Sequence, residues 1–96
     1  MPWVYILRCA EGSYYTGHTD NLDLRVAKHQ SGEIETYTRN RRPLKLVFAQ
    51  ECASRLAALT AERQIKGWSR KKKEAMIRGD WNEVGRLARG KDVRSA

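Results

Sequence analysis

A three-residue loop near the N-terminus constrains this chain more than any other feature. Trp3-Val4-Tyr5-Ile6-Leu7 is β-branched and aromatic and predicts a strand, with Ser13-Tyr14-Tyr15-Thr16-Gly17-His18 as its antiparallel partner. Between them, Ala10-Glu11-Gly12 puts glycine third, which fits a type I turn closing in a left-handed glycine bulge. With that loop Cys9 opposes Ser13, Leu7 opposes Tyr15 and Tyr5 opposes Gly17. Tyr5, Leu7 and Tyr15 then share one face of the hairpin. A two-residue Glu11-Gly12 turn would slip the register by one and split the tyrosines between faces. The three-residue loop is the expectation.

The next stretch predicts a helix from about Asn21 to Gln30, capped by Asp20, with Asp23 where a capping-box acid stands. Ser31-Gly32 ends it. Its apolar residues are Leu22, Val26 and Ala27. Arg25 and His29 are four apart, so they are neighbours on one face, and they border the Leu22–Val26 stripe. An Arg and a His turned toward a sheet need a reason. Tyr5, Tyr15, Arg25 and His29 can all act on a phosphate.

Glu33 to Arg42 is polar and aperiodic and reads as a loop. Its Thr36-Tyr37-Thr38-Arg39-Asn40-Arg41-Arg42 segment offers basic and hydroxyl groups to phosphates, or else is a solvated connector. Pro43 to Ala49 alternates as a third strand, with Pro43 at its start. Ser54 caps a second helix, Arg55 to about Lys66, with Ala58, Leu59 and Ile65 as its buried stripe. Glu62 points into that stripe. A carboxylate there is costly unless it is paired, with an Arg for instance, or holds a metal. Ser69 caps a third helical stretch to about Arg78. Asp80 caps a last short helix with Trp81, Val84 and Leu87 inward. From Arg89 the tail is polar and expected to fray.

The 96 residues are expected to form one domain, residues 1–96, with a core of about 2–88 and a basic tail, 89–96. No stretch approaches the roughly 20 apolar residues of a membrane span, and no apolar block follows a basic N-terminus. A soluble, cytoplasmic protein is expected, with no membrane partner. Cys9 and Cys52 form no C-x-x-C and read as reduced thiols. Residues 66–96 carry ten of the 19 Lys and Arg but only four of the 11 Asp and Glu. Such a basic third suits a polyanion, most often nucleic acid. The consecutive Lys71-Lys72-Lys73 fan around a helix rather than forming one stripe, as a solvated face also does.

Trp3-Val4-Tyr5, then Tyr15-Thr16-Gly17 ten residues later, then Asn21-x-x-x-Arg25-x-x-x-His29, then Glu62 well downstream, together resemble the GIY-YIG endonuclease family, in particular its small single-domain bacterial members. Thr38-x-x-Arg41-Arg42-Pro43-Leu44 and Glu62-x-x-Ile65-Lys66-Gly67-Trp68-Ser69-Arg70 also resemble segments of those members. The resemblance covers about residues 2–88. It implies an α/β (α+β) fold with a small three-stranded antiparallel sheet flanked by helices, in the order β-β-α-β-α-α(-α).

It also implies metal-dependent hydrolysis of phosphodiester bonds, most naturally in DNA and directed by structure or ends rather than sequence, as in repair or processing. One divalent cation, Mg²⁺ or Mn²⁺, would be held by Glu62 and stabilise the leaving oxygen. One carboxylate plus waters and substrate oxygens is normal for Mg²⁺. Arg25 would grip non-bridging oxygens through its fork. Tyr5 is the choice of general base, with Tyr15 its partner or a phosphate ligand. A phenol of ordinary pKa, near ~10, needs positive charge beside it for that task. Arg25, the metal or His18 can supply it, and His29 would orient a tyrosine or relay the proton. Tyr5, Tyr15, Arg25, His29 and Glu62 are thus the catalytic candidates. His18, Arg39, Arg41, Arg42, Lys66, Arg70, Lys71, Lys72 and Lys73 are the candidates for touching nucleic acid.

Trp3 and Thr16 depart from the family's motif but spare its tyrosines and glycine. The C-terminal Asn many relatives use has no match, since Asn82 follows Trp81. Two other readings stand beside the nuclease. One is a non-catalytic nucleic-acid-binding module on the same fold, and the other is a protein-interaction module resting on Trp3, Trp68 and Trp81, each of which core packing also explains.

Overall fold

The apolar run of the first strand becomes the centre of the sheet. In the computed structural model, which describes residues 1–34 and 37–95 and side chains through Ala88, β1 (Trp3–Arg8) lies between β2 (Tyr14–Thr19) and β3 (Lys45–Glu51). Both pairings are antiparallel. Val4, Tyr5, Ile6 and Leu7 are all buried, as a strand covered on both faces requires. The register is the one the three-residue loop predicts: Tyr5 faces Gly17 and Leu7 faces Tyr15. Gly12 closes the loop at φ 97°, and its N–H donates to the Cys9 carbonyl at 2.9 Å.

The helices are α1 (Leu22–Ser31), α2 (Arg55–Lys66), α3 (Arg70–Ile77) and α4 (Trp81–Ser95). The expected order, β-β-α-β-α-α-α, is therefore observed. The chain separates into two compact units, residues 1–66 and 67–96. In the first, Tyr5, Leu7, Cys9 and Leu44 form a core cluster, with Leu22 and Val26 of α1 and Tyr15 and Ala49 packed on it. The alternation of the strands sends Val4, Ile6, Thr16 and His18 to the opposite face, where α2 packs on β1 and β2. Ala58, Glu62 and Ile65 are the buried residues of α2. In the second unit α3 and α4 pack on each other, burying Ala75, Met76 and Val84. No helix among the described residues is long and apolar enough to cross a membrane.

Several local expectations need correction. The cap of α1 is Asn21, not Asp20: its side chain accepts from the Leu24 N–H at 3.1 Å. The Asp20 carboxylate is drawn instead to Arg55, at 2.5 Å. Asp23 consequently sits one residue short of a capping-box position, though still in the first turn, where the helix dipole favours an acid. β3 starts at Lys45 rather than Pro43. Leu44 is not available to β1, because its N–H and carbonyl are both bonded to the side-chain amide of Gln30. Trp81 is 57% exposed rather than inward. A helical side chain covers the turn N-terminal to its own Cα, and a first-turn residue has no such turn. The backbone of α4 continues to Ser95 through the stretch expected to fray. No proline interrupts the helix, and its two glycines, Gly85 and Gly90, cost only about 1 kcal/mol each. Thr36 lies outside the described residues.

The hairpin loop gives a direct test of the register argument. Gly12→Ala forces a side chain into the left-handed region and is expected to cost roughly 1–2 kcal/mol, read from urea unfolding. An unchanged midpoint would mean that the loop relaxes freely and does not hold the register.

Candidate active site

Tyr5 leaves the middle of β1 and crosses β2 where β2 has no side chain. A Cβ at Gly17 would fall 2.6 Å from Tyr5 Oη and 2.8 Å from its Cζ, well inside contact distance. The Tyr5 hydroxyl therefore reaches α1, where it meets His29 Nε2 at 2.9 Å. His29 Nδ1 in turn lies 2.8 Å from Thr38 Oγ1. All three residues are buried. Tyr15, half-buried, sets its ring 5.1 Å from His29 and 6.5 Å from Tyr5. Arg25, one helical turn before His29, acts on Tyr5 through its positive charge, and its Nε is buried with no protein partner.

Burial pushes the Tyr5 phenol above its usual pKa. The Arg25 cation works against that rise, while the Glu62 charge adds to it. Burial, helped by the Arg25 charge, lowers His29 to about 4. At neutral pH the pair is thus a phenol and an uncharged imidazole.

Glu62 reaches the sheet from α2. Its Oε1 lies 2.5 Å from His18 Nδ1 and its Oε2 2.7 Å from Lys66 Nζ, one turn on. Burial alone would raise the Glu62 carboxyl, but the Lys66 and His18 hydrogen bonds outweigh it and hold the group below the ordinary carboxylate range. An ionised, half-shielded carboxylate of this kind suits Mg²⁺, which keeps most of its own waters. The fit is with one protein ligand only: among the described residues no three His, Cys, Asp or Glu cluster as a metal cage.

The five catalytic candidates thus fall into two groups. Tyr5, Tyr15 and His29 are in mutual contact, the Arg25 charge acts on Tyr5 and His29, and Glu62 acts on Tyr5 through its charge. The bland pairing of Glu62 with an Arg is replaced by His18 and Lys66. Of the nucleic-acid candidates, His18 and Lys66 are those two partners. Arg42 donates to the Arg39 and Gln30 carbonyls and packs its guanidinium where Gly32 has no side chain. Arg41 lies 3.8 Å over the Tyr37 ring and pairs with Glu11 at 2.9 Å. In the second unit, Arg70 pairs with Glu74 and Lys72 lies 4.2 Å over Trp68. Lys71 is exposed, and burial lowers the pKa of Lys73.

Sequence reasoning placed Thr38 in a loop segment whose hydroxyls could meet phosphates and at the head of a segment resembling the family's, but not beside His29, a contact made only when the loop meets α1. It also left out Tyr37, whose ring stacks on Tyr15 at 6.5 Å, and Gln30, which ties α1 to the start of β3.

A small β-β-α-β-α unit that converges two tyrosines, an Arg, a His and a nearby Glu is the arrangement of one family of catalytic domains. The family model of the GIY-YIG catalytic domain matches residues 1–75, and the chain belongs to the GIY-YIG family, whose members are generally nucleases. Among its relatives are UPF0213 proteins. One from Natronomonas pharaonis is 45% identical over 75 residues, spanning 78% of this chain and 88% of the relative. A solution NMR structure of the UPF0213 protein from Bacillus halodurans is 44% identical, with a TM-score of 0.53 over 80% of this chain and 83% of the other. The solution NMR structure of an E. faecalis protein is 34% identical, with a TM-score of 0.56 over 80% and 82%.

The depressed His29 carries a pH signature. Between its ordinary value near 6.5 and about 4 the unfolded chain takes up a proton that the folded chain refuses. Stability that is fully present above this window is lost as the pH falls through it, on the order of 3 kcal/mol in all. Urea unfolding at pH 7 and 4.5 should show the wild type weakening more than His29→Gln. Equal losses would mean that His29 is not held neutral. Separately, Gly17→Ala drives a methyl into the Tyr5 ring and should cost roughly 1–3 kcal/mol by the same measurement.

Proposed function

We propose that this protein is a divalent-metal-dependent phosphodiesterase acting on nucleic acid, with DNA as the preferred substrate and structure or ends rather than sequence as the guide. The observation that carries the reading is the Tyr5–His29 hydrogen bond beside the Arg25 Nε donor without a protein partner, with the ionised Glu62 near enough for its charge to act on Tyr5. Hydrolysis needs a proton acceptor for water, a cation for the phosphate oxygens and charge stabilisation at the leaving oxygen. Water passes its proton to Tyr5 Oη as the Tyr5 proton moves to His29 Nε2. Oxygen bonds to phosphorus, the phosphodiester P–O bond breaks, and the leaving oxygen takes a proton from solvent. Arg25 holds the non-bridging oxygens through its fork. Glu62 is the residue that would hold Mg²⁺ or Mn²⁺, and that cation supplies Lewis acidity at the phosphate when bound. Tyr15, less deeply buried than Tyr5, is the tyrosine that meets the substrate first.

Two observations favour a second reading, a non-catalytic nucleic-acid-binding module. Tyr5 is 0% exposed, and both Glu62 oxygens already have a side-chain partner. In that case the site is a structural core, and the basic residues, Lys71, Lys72 and Lys73 among them, hold the polyanion.

A cleavage panel separates the two. Wild type and Glu62→Gln are incubated with single-stranded, duplex, flapped and branched DNA and with RNA, in Mg²⁺, Mn²⁺ and EDTA. The nuclease reading expects metal-dependent cleavage that falls by roughly 10²–10³ in Glu62→Gln while circular dichroism and binding persist. Binding that weakens with salt, with no turnover in any metal, would replace it with the second reading.

A further inference from the structure

We infer that Thr38 is a positioning residue, holding His29 in the tautomer with the proton on Nδ1 so that the Nε2 lone pair faces the Tyr5 hydroxyl. The consequence for hydrolysis rests on the function proposed above; the tautomer itself does not. The contacts around the three side chains favour one arrangement. The Arg25 cation acts on Tyr5 and makes its phenol the stronger donor of the pair. The phenol's own proton then has His29 Nε2, at 2.9 Å, as its acceptor. Nε2 must therefore be bare, and in a neutral imidazole Nδ1 must then carry the proton. The group facing Nδ1 is the Thr38 hydroxyl at 2.8 Å, which accepts it.

Among the described residues nothing else takes that role. Thr38 and His29 are 0% and 1% exposed, so water does not substitute for the hydroxyl. Thr38 is itself fixed by the turn it opens, where the Arg41 N–H donates to the Thr38 carbonyl at 3.0 Å. Removing the hydroxyl leaves a buried N–H without an acceptor, which the ring relieves by moving its proton to Nε2 or by turning. Either response removes the lone pair from Tyr5. A hydroxyl also suits the task electrostatically: it orients the ring without the negative charge of a carboxylate, which would favour an imidazolium.

The test is the ¹⁵N spectrum of His29 in the full-length protein, read by long-range ¹H–¹⁵N correlation, for wild type, Thr38→Val and Thr38→Ser. The expected wild-type spectrum has a protonated Nδ1 and a bare Nε2. Thr38→Val should shift population to Nε2–H, and Thr38→Ser should keep the wild-type pattern. A protonated Nε2 in the wild type, or unchanged ¹⁵N shifts in folded Thr38→Val, overturns the inference. Should Thr38→Val not fold, the wild-type and Thr38→Ser spectra decide. On a cleaved substrate, Thr38→Val should lower kcat roughly tenfold or more with little change in KM, and Thr38→Ser should restore it. A chain that cleaves nothing ends the catalytic reading, while the ¹⁵N spectra still decide the role of Thr38 in setting the tautomer.

Discussion

A chain of hydrogen bonds from Tyr5 through His29 to Thr38 holds the first unit together. Among the largest fully buried side chains, these three are the ones with polar groups. A buried polar group left without a partner costs about 1–3 kcal/mol, so each of the three depends on the next. The links run from the central strand to α1 and on to the loop before β3, segments far apart in sequence. Apolar packing alone would let α1 slide along the Tyr5–Leu7–Cys9 surface. Directional bonds fix where it stops.

Two gaps in side-chain volume make this arrangement possible. Gly17 lets the Tyr5 ring lie across β2. Gly32 leaves room for the Arg42 guanidinium at the end of α1, where it bonds the Gln30 carbonyl. Gln30 itself clamps Leu44. The polar loop between α1 and β3 is thus tied by side chains to backbone at several points, and Thr38 is presented from a held position. Arg41 is likewise engaged, over Tyr37 and against Glu11. In this loop the positive charges serve structure as well as any anion that arrives.

The carboxylate on the opposite face follows a different logic. Glu62 stays ionised because Lys66 and His18 outweigh the cost of its burial. Lys66 was placed for that role by helical spacing, one turn along α2. His18 came to it through the sheet, since strand alternation turns it away from Tyr15 and Gly17 and toward α2. From the opposite face of the sheet the Glu62 charge still pushes the Tyr5 phenol up.

Much of this was legible in the residues. The hairpin register followed from one glycine in a three-residue loop, because a period of two leaves no intermediate pairing. The caps Ser54, Ser69 and Asp80 were legible because capping is local. Asp20 and Leu44 were misread where a tertiary partner, Arg55 or Gln30, competed for the local group. Trp81 was misread because periodicity says nothing of where a helix has neighbours. The order of the elements, the shared face of Tyr5 and Tyr15 and the inward Glu62 were determined by sequence alone, since each depends on spacing within one element or one turn. The partners of Glu62, the neutral state of His29 and the place of Thr38 were decided only by tertiary structure, because burial and long-range hydrogen bonds exist only once the elements meet.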